Sequence, residues 1–404
     1  MPVSNAYVEK NVRSLYEWIL YEACMNGFDR VFSSFKNLST TNQVIVGTAV
    51  GSAALIGVSV LYTHIGIQRH RVLVPQKTPE DVCEQMILPD GRTFGYFLPE
   101  KFDPTHPVII FIHGTPESAS ACADIGDEFK EFGEIQNKLN EKYGQVQYIC
   151  IDRWGVGLTQ IHQEAKIVSI AGDILALCDH LGVDQFMVDG ASGGGPYAAA
   201  CAAKLPAKRC IGVVMQVPMG PRDLPCYQAE NTLTSTLFNA PWWCRWVMPL
   251  IMKAQNDFIP TIYTKEEFVK LANKKQENQT QGWCENDIIA LREHDYYYDS
   301  YRKNQYFRHG IAAMLLEIDL LQEKNFGFSP SEITGAIPCH ILIGDKDINT
   351  PLALSEWYVE QSKGNITLKV LEGHGHMSYY KHPDFVNNYV SFVDKCMKTA
   401  QANN

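Results

Sequence analysis

The chain has 404 residues, 46% of them hydrophobic and 20% charged, with a formal net charge of −10. That is globular composition, long enough for one large domain or two. The negative balance and the lack of any basic run interleaved with aromatics exclude nucleic acid as an expected partner. The twelve cysteines are scattered, with no Cys-x-x-Cys and no Cys/His cluster at zinc spacing. No metal and no cofactor is expected from them, and most read as buried apolar residues.

Residues 1–36 carry apolar side chains at helical spacing, among them Leu15, Trp18, Ile19, Phe28, Val31, Phe32 and Phe35. They read as an amphipathic helical segment, lying at a membrane surface or packed on the main domain. Residues 37–71 form the next unit. From Asn37 to Gln68 there is no Asp, Glu, Lys or Arg, and Arg69, His70 and Arg71 end the stretch. Its apolar centre, 44–62, matches the roughly 20 residues that cross a bilayer as a helix. The spacing predicts a single-pass anchor near the N-terminus. No small-residue cleavage site follows that would mark a secretory signal. Arg69, Arg71 and Lys77 on one flank against Arg30 and Lys36 on the other favour a cytosolic domain by one charge. Asn278 and Asn365 lie in Asn-x-Ser/Thr patterns that suit a lumenal domain equally well, so the membrane and its side stay open.

From residue 83 the pattern becomes short apolar strands alternating with longer helices. Glu84–Leu98 reads as a hairpin about Asp90-Gly91. Strands are expected at 107–112, 146–152, 185–189, 210–217, 339–343 and 367–371. Helices are expected at 121–143, 162–181, 352–361 and 385–397. This alternation predicts an α/β fold with a mostly parallel sheet covered on both faces. It occupies 83–217 and 332–404. Between them, 218–331 breaks the alternation and is rich in aromatics, including Trp242, Trp243, Trp246, Trp283 and Tyr296–Tyr298. An insertion placed there sits over the carboxyl ends of the strands, so it is expected to be a helical lid.

The stretch Val188-Asp189-Gly190-Ala191-Ser192-Gly193-Gly194-Gly195-Pro196 carries the chemistry. It is Gly-x-Ser-x-Gly between an apolar strand and a small-residue helix, the setting in which a serine is held at the tip of a sharp turn. A serine alcohol needs a base within hydrogen-bond reach, and the base needs an acid to hold its tautomer. Two later strands end in candidate partners: Asp345 and Asp347 after 339–343, His374 and His376 after 367–371. The order Ser, Asp, His suits the elbow. Asp189, a charged residue in a buried strand, has no evident role.

These motifs together resemble the α/β-hydrolase superfamily, in the branch with a helical lid, over roughly residues 83–398. The strand followed by His113-Gly114-Thr115 is similar to the family's His-Gly-x turn. Asp152–Gly157 is similar to its Asp-x-x-Gly-x-Gly turn, Gly344–Pro351 to its Gly-x-x-Asp-x-x-x-Pro, and Gly373–His376 to its Gly-x-Gly-His. The resemblance implies Ser192 as nucleophile, Asp347 rather than Asp345 as acid, and His376 rather than His374 as base. It further implies the backbone N–H groups of Thr115 and Gly193 as oxyanion donors, with His113 bracing its turn. Serine at the elbow separates the chain from the aspartate-dependent epoxide hydrolases and haloalkane dehalogenases of this fold. The expected reaction is acyl hydrolysis of a small or lipid-like carboxylic ester. Amide, thioester and carbon–carbon hydrolysis, or a non-catalytic binding role, are the alternatives. Nothing in the sequence fixes an oligomeric state.

Overall fold

The computed structural model describes residues 82–120, 129–221, 224–226, 283–293, 306, 308–322 and 326–403. The anchor segment 44–62, the amphipathic segment before it, and most of 218–331 lie outside the described residues. Among the described residues, no helix is long and apolar enough to cross a membrane.

One eight-stranded sheet organises the domain. Its strands are β1 (Cys83–Ile87), β2 (Thr93–Phe97), β3 (Val108–Ile112), β4 (Gln147–Ile151), β5 (Phe186–Ala191), β6 (Cys210–Gln216), β7 (Cys339–Gly344) and β8 (Ile366–Leu371). The spatial order is β1-β2-β4-β3-β5-β6-β7-β8. β1 and β2 form the expected antiparallel hairpin, and β2 runs antiparallel to β4. All remaining pairs are parallel. Every residue of β3, Val-Ile-Ile-Phe-Ile, is buried. Successive side chains of a strand point to opposite faces, so both faces of the sheet are covered. Burying each such side chain contributes about 1.5–3 kcal/mol.

The covering helices are α1 (Lys130–Tyr143), α2 (Ile170–Leu181), α3 (Gly195–Lys204), α4 (Glu285–Glu293), α5 (Ile311–Gln322), α6 (Leu352–Gln361) and α7 (Phe385–Asn403). α3 begins with Pro196 in its first turn, where a missing N–H costs nothing. Its run of alanines and Cys201 packs closely on β5 and β6. α1 packs against α7, tied by the Tyr143 hydroxyl, which donates to Asp394 Oδ1 at 2.6 Å.

Three helices differ from the sequence expectation. α1, expected over 121–143, starts at Lys130 because Phe129 is extended, and 121–128 lie outside the described residues. α2 starts at Ile170, not at 162, because Val168 N–H donates to Phe326 O at 3.0 Å instead of propagating the helix. α7 runs past Met397 to Asn403, since no breaker intervenes and Ala400 is still buried. The Asn365 side-chain nitrogen donates to Ile333 O at 2.9 Å and to Ser362 O at 2.8 Å, and the residue is exposed.

The parallel strands bring six loops to one rim. These are the loops after β3 (His113 to Thr115), β4 (Asp152, Arg153), β5 (Ser192), β6 (Val217), β7 (Asp347) and β8 (His376). That is where an open α/β sheet assembles its sites.

Candidate active site

Ser192 leaves β5 with φ 51°, in the left-handed region that side chains seldom occupy. The turn holds it there. A Cβ at Gly190 would lie 2.5 Å from Gly194 O and 2.7 Å from Ala198 Cβ, and one at Gly194 would strike Ile112 O. The two glycines are therefore a steric requirement of the strand, turn and helix crossing beside β3.

Ser192 Oγ stands 3.0 Å from His376 Nε2, and His376 Nδ1 stands 2.7 Å from Asp347 Oδ2. The ionised carboxylate accepts only, so Nδ1 carries the imidazole proton and Nε2 accepts from the serine hydroxyl. Asp347 is buried and fully satisfied. Its Oδ1 accepts from Asn349 N–H at 2.9 Å and Thr350 N–H at 2.8 Å, and its Oδ2 accepts from the Thr350 hydroxyl at 2.8 Å. Thr350 Oγ1 also lies 3.2 Å from His376 Nδ1 and 3.0 Å from Val217 O. Burial pulls the His376 pKa down, but the adjoining Asp347 carboxylate, aided by Asp287 and Glu117, leaves it raised above 6.5.

The two rival residues stand elsewhere. Asp345 accepts from Gly373 N–H at 2.6 Å and pairs with Lys346. His374 bonds Glu372 O and packs edge-on to His382. Neither is hydrogen-bonded to Ser192 or His376 among the described residues. Thr115 and Gly193 do come together, since a Cβ at Gly193 would strike Thr115 Oγ1. Among the described residues, the Thr115 N–H has no acceptor. His113 Nδ1 lies 2.8 Å from Gly114 O, and its Nε2 accepts from Arg153 N–H at 3.4 Å. Burial, with Arg153 beside it, pushes the His113 pKa well below 6.5. A neutral ring with its proton on Nδ1 fits both contacts.

Asp189 finds its role below the elbow. It is 1% exposed, and it accepts from Gln216 Nε2 at 2.9 and 2.7 Å and from the Tyr389 hydroxyl at 2.7 Å. Gln216 Oε1 in turn accepts from the Tyr379 hydroxyl at 3.0 Å, three residues past His376. A continuous polar chain thus links the serine strand to the histidine loop. Burial raises the Asp189 pKa to about 6 despite the bonds from Gln216 and Tyr389.

A second clamp comes from the insertion. Asp287 on α4 is fully buried, and its Oδ1 accepts from Met377 N–H at 2.9 Å and the Ser378 hydroxyl at 2.7 Å. Gly375 has no room for a Cβ because Asp287 Oδ2 occupies that space. The loop that carries His376 is therefore fastened from above by α4. Sequence reasoning missed Asp287, Gln216 and Thr350. Only Thr350 left a local signal, an Asp-x-x-Thr turn whose backbone and hydroxyl fold back onto the carboxylate.

With this geometry in hand, the comparisons are direct. The model of the alpha/beta hydrolase fold family matches residues 107–383. The chain belongs to the α/β-hydrolase fold family. Its fold is similar to that of a carboxylesterase from Nitrososphaera gargenis, at 15% identity and TM-score 0.52, over 78% of this chain and 100% of that one. It is similar to a bromoperoxidase from Bacillus anthracis, at 15% identity and TM-score 0.52, over 77% and 100%. It also resembles an alpha/beta hydrolase fold protein from Nakamurella multipartita, at 16% identity and TM-score 0.50, over 77% and 98%. At these identities the likeness is one of fold alone. No curated protein matches the sequence.

Proposed function

We propose that this protein is a serine hydrolase that cleaves a carboxylic ester of an apolar or lipid-like acyl group. The observation that carries the reading is the unbroken relay from Ser192 through His376 to Asp347, with contacts of 3.0 and 2.7 Å. In this reading His376 Nε2 takes the Ser192 proton as Oγ attacks the acyl carbon. The carbonyl oxygen becomes an oxyanion bound by the Thr115 and Gly193 N–H groups, each worth roughly 3 kcal/mol in the transition state. His376 then gives its proton to the departing alkoxide, leaving an acyl-serine. Water, activated by the same base, releases the acid and restores the serine. Asp347 holds the Nδ1–H tautomer and stabilises the imidazolium throughout.

The aromatic insertion 218–331 acts as a lid that makes the acyl pocket apolar, and 44–62 anchors the enzyme in a membrane where such substrates collect. The test is a fluorophosphonate probe on the folded protein. Ser192 is expected to be the labelled residue, and Ser192→Ala to abolish labelling. A folded protein that stays unlabelled overturns the reading. Extraction of membranes at high pH tests the anchor: the full chain should stay with the membrane and a chain starting at residue 76 should be released.

A further inference from the structure

We propose that Arg153 is a positioning residue for oxyanion stabilisation, holding the Gly114–Thr115 peptide in place, and that Glu317 from the insertion holds Arg153. The proposal rests on the serine-hydrolase reading above.

Arg153 follows β4 directly and is 1% exposed. Its NH2 group donates to Gly114 O at 3.0 Å and to Thr115 Oγ1 at 3.0 Å, and its NH1 reaches Gly193 O at 3.5 Å. The carbonyls of Gly114, in the peptide that carries Thr115 N–H, and of Gly193 thus face one guanidinium. In a trans peptide the C=O and the N–H of the same unit point in opposite directions. A cation bonded to Gly114 O therefore fixes the direction in which Thr115 N–H points. It also withdraws electron density through the amide, which makes that N–H a stronger donor.

The guanidinium is itself held from the insertion. Glu317 on α5 is buried; it pairs with Arg153 NH1, and its Oε1 accepts from the Thr115 hydroxyl at 2.7 Å. The Tyr197 ring lies 5.3 Å from the guanidinium carbon. Burial pulls the Arg153 pKa down, and Glu317, aided by Tyr197 and Tyr306, more than restores it, so the group stays charged. Apolar residues of like volume would serve stability at least as well as this buried pair. What the pair does provide is a planar fork reaching two loops at once, which a lysine ammonium does not reproduce.

The experiment uses the full-length protein and p-nitrophenyl acyl esters, with thermal stability, kcat, KM and the Ki of a trifluoromethyl ketone measured together. Arg153→Met is expected to lower kcat by about a hundredfold with KM nearly constant. It also leaves Glu317 as an unpaired buried charge and lowers Tm. The double variant Arg153→Met/Glu317→Met restores Tm but not kcat. The Ki for the ketone, which mimics the oxyanion, rises in step with the loss of kcat/KM. Arg153→Lys falls in between. Recovery of kcat along with Tm in the double variant, or an unchanged ketone Ki, overturns the proposal while leaving the hydrolase reading intact. A wild-type protein that neither turns over any ester nor is labelled at Ser192 overturns both.

Discussion

Thr350 grips Asp347 twice, through its backbone N–H to one carboxylate oxygen and its hydroxyl to the other, each at 2.8 Å. The same hydroxyl stands 3.2 Å from His376 Nδ1. Asp347, His376 and Thr350 are therefore mutually bonded. Thr350→Val keeps the shape and removes the hydroxyl. It is expected to lower kcat about tenfold with little change in KM, the scale of one buried hydrogen bond to a charge. Thr350→Ser should stay near wild type. Steady-state kinetics on one ester checks both.

The two neighbouring aspartates should behave differently. Asp347→Asn leaves the geometry but presents the wrong partner to Nδ1, and kcat is expected to fall by about four orders of magnitude. Asp345→Asn, whose carboxylate serves Gly373 N–H and Lys346, should retain activity within a factor of a few. The reverse result would exchange their roles.

In the proposed role of base, His376 must be neutral. Its pKa is raised above 6.5, burial being outweighed by Asp347 and, more weakly, Asp287 and Glu117. The acid limb of kcat/KM is thus expected to have its midpoint above pH 6.5. Asp287→Asn removes one negative neighbour but keeps an acceptor for Met377 N–H, so the limb moves to lower pH. Asp287→Ala also frees the loop and should lower kcat. The same raised pKa favours folding below the unfolded value of about 6.5, and that contribution is lost as pH rises through the folded value. A pH–rate profile separates the charge effect from the loss of anchoring.

Asp189 gives the opposite kind of test, on stability. Its pKa is about 6 in the fold against 3.8 for a free side chain. The folded state binds this proton more tightly than the unfolded state. Its contribution is fully present below about pH 4 and is lost as pH rises to about 6, roughly 3 kcal/mol in all. Asp189→Asn gives up part of the bonding from Gln216 and is expected to flatten this slope. Urea unfolding between pH 4 and 7 measures it.

The sheet and the proposed reacting groups stood out because they follow local patterns. Continuous apolar runs marked the central strands, and the glycines around Ser192 are demanded by a turn only a few residues long. The resemblance of Gly344–Pro351 to the family's Gly-x-x-Asp-x-x-x-Pro pointed to Asp347, whose carboxylate accepts from Asn349 and Thr350 within the same turn. What holds these groups was not legible. Asp287 and Glu317 lie in the stretch read as a helical lid, and each meets a loop far away in sequence, which helical spacing does not identify. Asp189 stood out as a charge in a buried strand. Its partners Gln216 and Tyr389 come from the next strand and the last helix, which no local pattern joins.

The contact between Tyr389 and Asp189 has a consequence for how the chain is made. The hydroxyl that caps the carboxylate under the elbow belongs to α7, 200 residues further on. During synthesis the serine strand emerges long before this helix leaves the ribosome. Until then the carboxylate has no Tyr389 cap, and so long-range a contact closes slowly. Completion of the bonding beneath Ser192 therefore waits for a segment 200 residues further along the chain, and a chain that stops short of Tyr389 carries Ser192, Asp347 and His376 without that support.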